Sequence, residues 1–89
     1  MIIARVVGTV VATRKLDRLV GTKILIVQAL DPGSETPKGD PIVAVDAVGA
    51  GYGEKVIVVV GSSARTALDD ERSPVDATII GIVDEIDVR

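Results

Sequence analysis

Two short runs in this chain are apolar on both faces at once. In residues 24–30, Ile24, Ile26 and Leu30 alternate with Leu25, Val27 and Ala29. In residues 56–60, Val56, Val58 and Val60 alternate with Ile57 and Val59. Successive side chains of a strand point to opposite faces, so each run needs two apolar environments. A chain of 89 residues builds one small interior and buries only about 60–65% of its unfolded surface. The last apolar run repeats the problem, with Ile79 and Val83 opposite Ile80, Ile82 and Ile86. One short helix cannot cover all these second faces. Left bare, they would form patches larger than soluble monomers expose. The pattern therefore predicts an obligate oligomer whose strand faces pack between subunits. The competing reading is that scattered surface Val and Ile are tolerated, because about half of any folded surface is apolar.

Turn signals cut the sequence into strand-sized pieces. Residues 2–14 alternate, with Ile2, Ala4, Val6, Gly8, Val10 and Ala12 on one face, and read as a long strand. Gly8 in its middle marks a bend or bulge. Residues 15–22 read as a loop, 23–30 as a second strand, and 31–40 (DPGSETPKGD) as a hairpin-type loop. Residues 41–48 form a third strand, 49–54 (GAGYGE) a tight glycine loop, and 55–60 a fourth strand. Residues 61–68 suit a two-turn helix capped by a serine hydroxyl. Residues 69–72 (DDER) read as a solvated loop, and 73–76 (SPVD) as a capping box making a single helical turn. The last strand spans 77–88, with Gly81 as a second bend. Five strands and one helix in a single domain over residues 1–89 predict a mainly β fold, a small five-stranded OB-like β-barrel with the helix after the fourth strand. An open sandwich of the same strands is the alternative.

Composition removes most chemistries. The chain has no cysteine and no histidine, which excludes most zinc and haem sites and the His-dependent nucleophile arrangements. No cofactor is expected. One tyrosine is the only aromatic residue, so there is no platform for stacking bases. Thirteen acidic residues against ten basic ones give a net charge of −3, the wrong sign for a phosphate-backbone binder. No apolar run reaches the roughly 20 residues that span a bilayer. Residues 1–5 carry no basic stretch before an apolar one and do not read as a signal peptide. The expected compartment is the cytoplasm, with no nucleic acid and no membrane as partner.

The candidate motifs fail as catalytic sites. Residues 49–54 resemble a GxGxxG phosphate loop, but Glu54 replaces the last glycine and a strand follows instead of a helix. Gly51 is expected to need a positive φ. Residues 61–65 (GSSAR) lack the last glycine of a nucleophile elbow and have no histidine partner. A backbone anion nest at that point is a second reading. Asp46 lies among apolar residues and must be hydrogen-bonded or paired, to a loop N–H or to Arg14 or Arg65. It is also a candidate half of a carboxylate acid–base pair with Glu54, Asp76 or Asp84. Asp69, Asp70 and Glu71 form a short acidic run that reads as solvated.

An ordered set of segments is similar to one known family. Residues 7–15 (VGTVVATRK), 43–54 (VAVDAVGAGYGE), 61–65 (GSSAR), 74–77 (PVDA) and 81–84 (GIVD) together resemble the EutN/CcmL vertex proteins of bacterial microcompartments. The resemblance covers nearly the whole chain and is loosest in 15–22, 31–40 and 69–73. It implies a non-enzymatic β-barrel that assembles as a homopentamer. The pentamer would plug the fivefold vertices of a shell whose flat facets are hexameric proteins. It would place the chain in the shell of a cytoplasmic compartment. Ring interfaces bring two different patches together. In that setting the small residues Gly49, Ala50, Gly51, Gly53 and Gly61 permit close approach. Asp46, Glu54, Ser62, Ser63 and Arg65 would supply hydrogen bonds that fix the angle between subunits. A small binding module and an interfacial carboxylate enzyme are the competing classes.

Overall fold

The computed structural model describes residues 1–13, 15–19, 21–69 and 75–89, with Arg18 described by its backbone alone. The chain runs β1 (Ile2–Val10), a 3-10 turn (Asp17–Leu19), β2 (Lys23–Ala29), β3 (Ile42–Asp46), β4 (Lys55–Val60), α1 (Ser62–Ala67) and β5 (Ala77–Ile82). The strands close into a barrel in the order β1-β2-β3-β5-β4. All neighbours are antiparallel except β3 and β5, which run parallel. The expected barrel is the observed fold, and the helix follows the fourth strand.

Both predicted bends are bulges. Val6 pairs with Val27 and Gly8 with Ile26, leaving Val7 as the extra residue of β1. A Cβ on Gly8 would stand 3.3 Å from the Ile26 side chain, so the bare backbone lets β2 approach closely. Ile57 pairs with Gly81 and Val58 with Ile79, so Ile80 bulges from β5. Such bulges bend strands, which a small barrel needs in order to close.

The two-faced runs are divided between two cores. Ala4, Val6, Leu25, Val27, Ala44, Val56, Val58, Ala77 and Ile79 fill the barrel with Ala50. Outside the barrel, Val45 and Val59 pack with Ala64 of α1 and with Val75, flanked by Leu19, Leu68 and Ile80. The helix thus lies over β4 and β5, with Val45 of β3 at the margin of the same cluster. Burying a Val or Leu side chain is worth roughly 1.5–3 kcal/mol. Thr78, the one buried polar residue among the described residues, donates its hydroxyl to the Ala64 carbonyl at 2.9 Å, tying helix to barrel. Val43 and Val60, 54% and 43% exposed, remain outside both cores.

Several boundaries differ from the sequence reading. β1 ends at Val10, not at residue 14. β5 ends at Ile82, not at residue 88: Ile82 pairs with Val56, Val83 donates its N–H to the Lys55 carbonyl at 2.8 Å, and β4 begins at Lys55. β3 ends at Asp46 because its carboxylate turns the chain. Residues 15–22 contain the 3-10 turn. Helix α1 spans Ser62–Ala67 with Gly61 at its N-cap, at φ +67° and with no side-chain cap bond, so the expected serine cap is absent. Half of the expected turn at 73–76, residues 73 and 74, falls outside the described residues; Val75 and Asp76 lie in no regular element. In the 31–40 arm, Asp31 Oδ1 accepts the N–H groups of Gly33 at 2.9 Å and Ser34 at 3.1 Å. These bonds, Ser34's first, hold the Asp31 carboxyl below the usual carboxylate range. Among the described residues, no helix is long and apolar enough to cross a membrane.

Candidate subunit interface

The ten residues assigned to subunit contact form two groups. β4 runs from Lys55 to Val60, so residues 46–54 lie at one end of the barrel and residues 61–65 at the other. No protomer brings them together. In a head-to-tail ring, two separate patches are what an interface between unlike faces requires.

The first group is a loop that closes the barrel end. Asp46 Oδ1 accepts from Val48 N at 3.0 Å and Gly49 N at 3.2 Å, and its side chain is 2% exposed. This is the structural reading of Asp46: a link to loop N–H groups. Its nearest cation is Lys23, with Nζ 3.9 Å from Oδ2, rather than Arg65; Arg14 lies outside the described residues. The chain then crosses the barrel mouth, and the wholly buried Ala50 methyl plugs it from above. Lys23 Nζ donates to the Ala50 carbonyl. Arg5 donates to the Gly53 carbonyl at 2.6 Å, and Gly53 N–H donates to Val6 at 2.9 Å. Glu54 Oε1 accepts from Gly51 N at 2.6 Å.

Two strands, β1 and β2, therefore each send a cation to pin the loop, and sequence reasoning missed both Arg5 and Lys23. Their positions at strand level with a glycine loop gave no local signal. The expectation for Gly51 is corrected: the positive-φ glycines here are Gly49 at +83° and Gly53 at +84°. Gly51 meets instead a proximity limit, since a Cβ would stand 3.3 Å from Glu54 Oε1. Tyr52, between Gly51 and Gly53, is 82% exposed at the tip.

The second group is more open. Gly61 takes a positive φ to turn from β4 into α1, and its N–H donates to Asp76 O at 2.8 Å. Ser62 and Ser63 are exposed, with no side-chain hydrogen bond among the described residues. Arg65 is half-buried and donates to the Val75 carbonyl at 3.3 Å. Asp69 adopts a positive φ of 55° and is exposed; Asp70 and Glu71 lie outside the described residues. Asp46 and Glu54 each bond neighbouring backbone N–H groups, so neither carboxylate stands free as an acid–base pair.

Known proteins match the chain along nearly its whole length. A family model described as ethanolamine utilisation protein EutN/carboxysome matches residues 1–84. The microcompartment shell vertex protein GrpN of Rhodospirillum rubrum is 47% identical over 98% of this chain and 97% of its own. EutN of Escherichia coli K12, also named a shell vertex protein, is 48% identical over 97% of this chain and 90% of its own. The solved GrpN structure, described as a pentameric microcompartment shell protein, superposes with a TM-score of 0.90 at 46% identity, covering 100% of both chains. These relatives are structural shell components, not enzymes. With its barrel, helix and glycine loop in place, this chain belongs to the EutN/CcmL family of microcompartment shell vertex proteins.

Proposed function

We propose that five copies of this chain close into a ring that fills a vertex of a bacterial microcompartment shell. The observation that carries the reading is the pentameric GrpN structure, which matches this chain end to end. The physical chemistry of the chain supports it independently. The helix covers only part of the second strand faces, and Val43 and Val60 stay 54% and 43% exposed in a single copy. A ring of identical chains covers such faces without leaving an edge.

A flat lattice cannot close, so each corner requires a subunit ring of fixed tilt. We assign that tilt to Gly49, Gly51, Gly53, Glu54 and Asp46 at one end of the barrel and Gly61, Ser62, Ser63 and Arg65 at the other. Ala50 is left out because its methyl lies inside its own barrel. The flanking partners are hexameric facet proteins, which meet the outer rim of the ring. Native mass spectrometry tests the reading: the expected species is about 46 kDa, five times the 9.2 kDa chain. A monomer at micromolar concentration overturns it. Co-expression with hexameric shell proteins is expected to yield closed shells, and open sheets when this chain is omitted.

A further inference from the structure

The parallel seam of the barrel is short. β3 and β5 share only two register pairs, Val45 with Thr78 and Asp46 with Ile79. Along residues 42–44, β3 is paired with β2 on one side but, among the described residues, has no register partner on the other. The strands part there, and a groove of about 510 Å³ opens between Ile42 and Val43 on one wall and Val60, Gly61, Asp76 and Ala77 on the other. An apolar groove beside an unladdered strand edge is the setting in which an extended segment adds as a further strand.

The same chain carries such a segment. Beyond Val83, whose N–H still bonds β4, residues 84–88 lie in no strand. At its end the segment alternates, with Ile86 and Val88 on one side and Asp87 on the other. Val88 is 65% exposed. The segment leaves from the end of β5, whereas the groove lies at its beginning, so filling its own groove would require the segment to reverse direction and spend its whole extended length on the return; a neighbour in a head-to-tail ring needs no such reversal. Charge agrees: Arg89, paired among the described residues with Asp87 at 3.0 Å on the surface, would arrive near the exposed Asp76.

We infer that residues 84–88 of one subunit dock in the β3–β5 groove of the next, adding a strand along residues 42–44. This rests on the ring reading above. The occupant is a second copy of this chain.

The absence of cysteine makes the test clean. Val43→Cys is combined in turn with Ile86→Cys and with Val88→Cys, two positions on one face that allow for register. Under mild oxidation, at least one pair is expected to give a covalent ladder up to the pentamer, with each single variant giving dimers at most. A pentamer by native mass spectrometry with no inter-subunit disulfide in either pair overturns the inference and leaves the ring standing. A bridge within one chain also overturns it. Absence of any pentamer in the unmodified chain overturns both. As a second variant, Ile86→Asp with Val88→Asp is expected to weaken assembly at least about tenfold, with the strand circular dichroism of the barrel retained. Unchanged assembly counts against the inference.

Discussion

The loop over 46–54 and the segment over 61–65 look alike in sequence, small residues with a few polar ones, yet they spend their polar groups differently. In the first, Asp46 and Glu54 are occupied by backbone N–H groups of their own loop, and Lys23 and Arg5 hold its carbonyls. In the second, two serine hydroxyls stand in solvent and one arginine makes a single long bond. A polar group already satisfied within its chain has little to offer a neighbour, because a new bond would be made at the expense of an existing one; an exposed hydroxyl gives up only water and gains about 1 kcal/mol net. The first loop is a preorganised shape, and the second is a set of free donors and acceptors. Substitutions in the first should therefore register as loss of folding, and in the second as loss of assembly.

The strongest way to break that contrast is Ala50→Asp. A carboxylate forced into the barrel mouth without a partner costs several kcal/mol. We expect no cooperative thermal transition by circular dichroism; a barrel that melts like the parent would remove the plug assignment. Next is Gly53→Val. A β-branched residue at φ +84° is strained by about 1–3 kcal/mol. Gly51→Val, without a positive φ, should cost less in urea unfolding. Equal losses would mean that close approach to Glu54, not backbone sign, governs the loop. Asp46→Ala should then cost about 1–2 kcal/mol, as loss of a capping carboxylate does. Ser63→Ala should change monomer stability by less than about 0.5 kcal/mol. Its effect is expected in the dilution at which the pentamer dissociates, and a serine variant that unfolds the barrel would erase the distinction.

A smaller, pH-dependent effect sharpens the picture outside both regions. The Asp31 carboxyl titrates below its unfolded value because Ser34 and Gly33 donate to it. A depressed folded value contributes stability above the unfolded pKa of about 3.9, and this is lost as pH falls through the folded value. Asp31→Asn should flatten that acid limb slightly in a melting-against-pH series. An identical limb in both proteins would mean that the 31–40 turn is held by other contacts.

The contrast also explains what was legible in advance. Strand number and both bulges follow from period-two patterning interrupted by Gly8 and Gly81, and the helix position from the small-residue and Leu run at 61–68 where that patterning stops, because these are local signals. The barrel ends were less legible. A strand stops when its neighbours stop, and nothing in residues 11–13 or 83–88 states that β2 and β4 offer no further partner. The roles of Arg5 and Lys23 depend on contacts 48 and 27 residues away, which no local pattern encodes. Gly51 was misread for a related reason: three glycines in five residues look equivalent until the path over the barrel mouth decides which must turn left-handed. The serine cap failed because Gly61 itself makes the turn into α1, leaving the hydroxyls outward.

Tyr52 stands at the tip of the pinned loop as the chain's one aromatic side chain. The near-ultraviolet absorption and fluorescence of this protein therefore come from one point on its outside. Unfolding of the apolar interior will be nearly silent at those wavelengths. Contact at that end of the barrel, whether by a neighbouring subunit or another molecule, can be followed without any label.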